Sequence, residues 1–219
     1  MEGFLRELLS AVIQLLVVFL LVFFCWLGHK GISRFRKKDS EGLRAWIGLK
    51  MPSADLKTLG LVLAGVVAFS FALKFVMDVA GFGDEMDALL KLSSVNDLAK
   101  LDPSSAAIFA GLTYAFIKTA GSEELLFKGL LYKRFLSWFG YLPANLLQSF
   151  LFGVMHNGII YLGIPEASLA VHANIFLNTF VVAYLGGWYM EKKDGGSLFF
   201  PWLVHGLANF SVFLSSFWV

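Results

Sequence analysis

The chain has 219 residues, 58% of them hydrophobic and only 16% charged, with a formal net charge of +2 and a mean hydropathy of +0.71. Soluble domains carry roughly 25% charged residues, so this composition excludes that class and points to an integral membrane protein. The single cysteine, Cys25, excludes disulfide scaffolds and cysteine-rich metal sites by counting. Its thiol is expected to pack, and the basic residues are explained by topology rather than by nucleic acid.

The first apolar segment, 8–28, runs without a charge and is long enough for a helix rising ~1.5 Å per residue to cross ~30 Å of hydrocarbon. A cleaved signal peptide is disfavoured: the flank "MEGFLREL" is not net basic, the apolar run is too long, and "FFCW" lacks the small residue expected before a processed cysteine. Further apolar segments fall near 56–80, 103–136, 143–162, 168–190 and 197–218. No internal repeat or low-complexity tract interrupts them, so residues 1–219 are predicted to form a single membrane domain. The predicted class is all-α, a polytopic transmembrane bundle of about six to eight helices.

Orientation follows from charge. The connector "HKGISRFRKKDSEGLRAWIGLK" is rich in Lys and Arg, whereas "DVAGFGDEMDALLKLSSVNDLAKLD" is net acidic. The positive-inside rule places the first in the cytoplasm and the second outside, with "EKKDGG" cytoplasmic as well and the N-terminus extracytoplasmic. The 103–136 segment then descends as one long helix, with Asp102 and Pro103 as its cap and first turn. Counting from the cytoplasmic ends at ~1.5 Å per residue puts Glu123, His156, His205 and Asn209 all roughly 12 to 18 Å deep. Ionisable and amide side chains from three helices thereby share one level, where an isolated charge is expensive.

Adjacent residues of a helix point about 100° apart, so Glu123 and Glu124 serve different partners. Glu124 and Lys128 stand four apart in the favourable acid-before-base order, and their simplest reading is a buried ion pair. Glu123 has Leu126 and Phe127 at those spacings and must find its partner on another helix. Asn209 lies one turn after His205 on one helical face. An acid, two imidazoles and an amide permit water activation, with oxyanion stabilisation by the second imidazole and the amide. A His₂Glu zinc set of Glu123, His156 and His205 is the alternative. His172, expected near the outer surface, and His29, at a membrane boundary, are read as non-catalytic. No Gly-x-Ser-x-Gly or His-Glu-x-x-His motif is present. The six Trp and twenty-three Phe are read as lipid-facing bulk and interfacial anchors.

The ordered trio "EELLFK" from Glu123, "FGVMH" from Phe152 and "HGLAN" from His205 resembles the CPBP family of CAAX proteases and bacteriocin-processing enzymes, the intramembrane glutamic endopeptidases. Their motifs are Glu-Glu-x-x-x-Arg, Phe-x-x-x-His and His-x-x-x-Asn/Asp. The stretch "YLGGWYMEKKDGGSLFFPWLVH" before the third motif is also similar to the family's glycine-containing helix and turn. The resemblance covers about 103–213 as a CAAX-protease-like core, preceded by two transmembrane helices near 8–28 and 56–80.

This resemblance implies that Glu123 and His156 activate the hydrolytic water, that His205 and Asn209 stabilise the oxyanion, and that Glu124 supports the site. No cofactor is expected first, with zinc as the alternative. Lys128 stands where the family has Arg, which keeps the charge and loses the planar bidentate fork. The implied activity is intramembrane hydrolysis of a peptide bond in a peptide or membrane-protein substrate. It would occur in a prokaryotic plasma membrane, with the active site opening toward the cytoplasm. A small bacteriocin or signalling peptide is preferred over a prenylated CAAX protein because the compact chain looks prokaryotic. A non-catalytic scaffold or regulator with the same core is the second reading. A proton-coupled transporter with Glu123 as relay is the third, and the absence of repeated halves weighs against it.

Overall fold

The structure, a computed structural model, describes residues 2–36, 39–53, 56–92 and 105–215. These form eight helices and no strand: α1 (Glu2–Phe35), α2 (Leu43–Trp46), α3 (Leu56–Val79), α4 (Gly83–Leu92), α5 (105–139), α6 (Tyr141–Gly163), α7 (Leu169–Lys192) and α8 (Phe199–Ser215). By length and composition α1, α3, α6 and α7 can each cross a membrane, and the apolar part of α8, Phe199–Leu214, is shorter. The protein is therefore an all-helical membrane bundle, as its composition requires. The expected Asp102–Pro103 cap lies outside the described residues.

α5 is continuous but not uniform. Two π-helical stretches, Thr113–Thr119 and Leu125–Tyr132, flank the short α-helical segment Ala120–Glu124. Single wide turns of this kind are uncommon and tend to mark functional sites. Gly140, at φ +78°, makes the corner from α5 into α6, a left-handed conformation that glycine adopts without a Cβ penalty. α7 starts at Ser168, whose side chain accepts from the Val171 amide as an N-cap.

Helix ends gather into two sets. At one end, the Leu198 amide donates to Gly48 O (2.9 Å) and Ser53 N to Asp194 Oδ1 (2.6 Å). There too Lys133 pairs with Glu191 at 2.5 Å, and the Arg134 guanidinium lies 3.7 Å from the centre of the Trp46 ring. These contacts join 42–53, the end of α5 and the α7–α8 turn, the segments the charge pattern placed together. At the other end the Ser168 amide donates to Glu85 of α4 (3.0 Å), and Met77 packs with Val171, Phe82 and Ile160.

Side-chain burial follows the membrane setting. Phe24, Phe71, Phe75, Trp138 and Leu162 are exposed, as lipid-facing bulk should be. The aromatic residues are not all of that kind, however: Trp46, Phe127, Phe152, Phe200 and Phe213 are buried core. Their rings are needed inside because few other side chains fill wide helix–helix gaps. Cys25 also departs from expectation. It is exposed on the outward side of α1 rather than packed, while Ala11 and Val22 form that helix's inward face.

Candidate functional site

α5 supplies Glu123, Glu124 and Lys128, α6 supplies His156, and α8 supplies His205 and Asn209. Glu124 and Lys128 form the ion pair their spacing predicts, with Nζ 2.8 Å from Oε2 and side-chain exposures of only 4% and 2%. Glu124 has a second partner from far along the chain: His205 Nδ1 lies 3.0 Å from Oε1. A carboxylate can only accept, so that imidazole nitrogen carries the hydrogen. The same argument fixes His156, whose Nδ1 lies 2.9 Å from the Phe152 carbonyl oxygen. With its hydrogen on Nδ1, a neutral His156 presents an acceptor lone pair at Nε2.

Both Nε2 atoms point at one place. Each lies 3.8 Å from Glu123 Oε2, and that buried oxygen has no hydrogen-bond partner among the described residues. At 3.8 Å the groups are too far apart to bond directly and close enough to share a small hydrogen-bonding group. The convergence inferred from helix depth is thus realised for Glu123, His156 and His205, with Glu124 beside them.

Asn209 is placed differently. Its amide Nδ2 donates to Thr119 Oγ1 at 2.7 Å, and Thr119 in turn donates to Ala115 O at 2.9 Å. The amide therefore braces the turn of α5 that precedes Glu123. His172 Nδ1 lies 3.0 Å from Asn157 Oδ1, a contact between α6 and α7 adjacent in sequence to His156. The His29 ring lies tilted against that of Trp46, with centres 5.7 Å apart.

Two features of the site are not apparent from the motifs. Phe152 is more than a motif letter: its ring centre lies 4.3 Å from that of His156, 5.7 Å from that of His205 and 5.1 Å from that of Phe127. The Lys128 ammonium lies 5.6 Å from the same ring. This apolar hub holds both imidazoles apart and shields the ion pair, which strengthens electrostatic attraction across it. The second feature is the Gly186–Gly187 step of α7. A Cβ at Gly186 would lie 3.1 Å from Lys128 Cε, and one at Gly187 only 2.0 Å from Asn145 Oδ1. The sequence signal was the "LGGW" run, but only the structure says what those glycines make room for.

Among the described residues no group of three or more His, Cys, Asp or Glu side chains is arranged to hold a metal ion. Two tetrahedral zinc ligands at ~2.1 Å from the metal lie about 3.4 Å apart, closer than the 3.8 Å separations at Glu123.

No curated protein and no solved structure matched the chain. The family model described as type II CAAX prenyl endopeptidase Rce1-like matches residues 105–211, which run from the start of α5 into α8 and hold every site residue named above. Over that segment the chain is similar to the Rce1-like type II CAAX prenyl endopeptidases, a protease family consistent with the CPBP motifs it carries.

Proposed function

We propose that the protein is an intramembrane endopeptidase of the glutamic type, hydrolysing a peptide bond in a peptide or membrane-protein substrate with water activated by Glu123 and His156. The observation that carries this reading is the buried Glu123 Oε2, unbonded among the described residues and 3.8 Å from two imidazole nitrogens. Glu123 and a neutral His156 are both acceptors, so one water can donate a hydrogen to each and keep a lone pair for attack. As its oxygen bonds to the substrate carbonyl carbon, Glu123 takes the proton. The carbon–nitrogen bond then breaks and that proton passes to the leaving amine, so no other reactant is needed.

The oxyanion requires donors. His205, with Nδ1 on Glu124, offers an Nε2 hydrogen when doubly protonated, and the second amide hydrogen of Asn209 is assigned to the same task. Glu124 then acts as counter-ion to both Lys128 and His205. The Lys128 ammonium at 2.8 Å pairs the Glu124 carboxylate, as a buried charge in lipid requires.

The end of the bundle that gathers Arg44, Lys50, Lys133, Arg134, Lys192 and Lys193 is assigned to the cytoplasm of a plasma membrane. The test uses protein purified into proteoliposomes with peptides drawn from the host membrane. Glu123→Ala, His156→Ala and His205→Ala are each expected to abolish turnover, a loss of at least about 10³-fold, with unchanged helicity. Substantial turnover by any of the three defeats the assigned roles.

A further inference from the structure

α1 lies outside the family-matched segment, yet it touches α5 directly before the glutamate pair. Its inward seam runs Glu7, Ala11, Gln14, Val18, Val22, the three-and-four spacing of one helical face. Ala11 and Val22 are fully buried on that seam. Two of its members are polar. Glu7 pairs with Lys118 of α5 at 3.0 Å. The Gln14 amide spends both hydrogens on α5, donating to Lys118 O at 2.9 Å and to Ser122 Oγ at 2.8 Å. Ser122 itself donates to Lys118 O.

These contacts fall where the backbone changes form. The stretch Thr113–Thr119 is π-helical, and the Ala120 amide bonds to Ala115 O, five residues back. In an α-helix that amide would take Phe116 O; here Phe116 O accepts from Trp202 Nε1 of α8 at 2.7 Å. The Phe116 ring lies 5.6 Å from the Trp202 ring, in a space that a Cβ on Gly206 would fill. Side chains of α1 and α8 thus supply donors to carbonyls at the wide turn, whose geometry sets the direction in which Glu123 leaves the helix. Apolar contacts would not explain Gln14 there, because lipid tails are as apolar as leucine and helix association in a bilayer relies on packing and such bonds.

We infer that Gln14 is a positioning residue for the proposed reaction: by bonding Lys118 O and Ser122 Oγ it holds the π-to-α junction that places the Glu123 carboxylate between His156 and His205. This rests on the proteolytic reading for its catalytic consequence, though not for its structural one. The experiment compares full-length wild type, Gln14→Met, Ser122→Ala and the lipid-facing control Val12→Met in proteoliposomes. Amide hydrogen exchange is followed by mass spectrometry, and turnover is measured on a synthetic peptide carrying a cleavage site recovered from wild-type cells.

Gln14→Met and Ser122→Ala are expected to speed exchange within 118–124 by about tenfold, as loss of an intramembrane hydrogen bond implies. Exchange in α6 and α7 stays unchanged. kcat, counted per folded enzyme, is expected to fall by a similar factor while KM stays put, the split left by losing an interaction made in the transition state. Unchanged exchange at 118–124 in both variants, or faster exchange with kcat intact, overturns the inference. If wild type cleaves nothing, the proteolytic reading fails on its own, and the exchange measurement still decides whether Gln14 holds the junction.

Discussion

Glu124 lies between Lys128 and His205, at 2.8 and 3.0 Å, and is the residue on which the charge balance of the site turns. The Lys128 half of this was legible, since acid and base four apart share a helical face. The His205 half was not: the two residues stand 81 apart, and no local pattern tells which glutamate a distant imidazole will choose. Lys128→Met leaves a carboxylate at 3% exposure with the ammonium gone and only the His205 Nδ1 hydrogen bond remaining. It is expected to destabilise the fold by about 3–5 kcal/mol, read as a fall in the thermal midpoint in detergent. Asn209 shows the opposite outcome. Its spacing from His205 put both on one face, but the structure sends its amide to Thr119, a partner that becomes visible only once α5 and α8 are packed together.

At the scale of elements, the sequence predicts one helix over 103–136, and α5 is one helix across the described residues 105 to 139. Its alternation between α and π turns was not readable, because both share the same apolar composition; at the first π stretch Lys118 O and Phe116 O accept from Gln14 and Trp202 of other helices. The glycines of α7 are a related case. "LGGW" marks close approach of backbone, and the approaching groups are Lys128 and Asn145. Asn145 is fully buried and donates to Tyr184 O at 3.0 Å. Gly187→Ala drives a methyl into that side chain and is expected to cost about 1–3 kcal/mol through overpacking. Wild-type stability in that variant would show that α7 shifts at no cost.

Across the whole molecule, charge asymmetry between connectors anticipated which helix ends come together. The basic segment 42–53 and the Lys192–Lys193 turn meet at one end, and α4 meets the start of α7 at the other. Which end faces the cytoplasm is a property of the membrane, and labelling settles it. In a Cys25→Ser background, Lys193→Cys is expected to react with an impermeant maleimide only after cells are opened. Gly81→Cys, in an exposed turn with open space around it, should react on intact cells. The reverse pattern would invert the assigned topology and move the proposed cytoplasmic end outside.

The most direct test of the central claim, that Glu123 activates water for peptide hydrolysis, is a mass-spectrometric comparison of membrane-derived peptides from cells carrying wild type, Glu123→Gln or no copy. Glu123→Gln keeps the shape and removes the base. Cleavage products present with wild type and absent from both other strains are the expected result, and they would identify the substrate class at the same time. Identical peptides in all three, with Glu123→Gln restoring whatever the missing copy abolishes, would contradict catalysis and leave the bundle a scaffold.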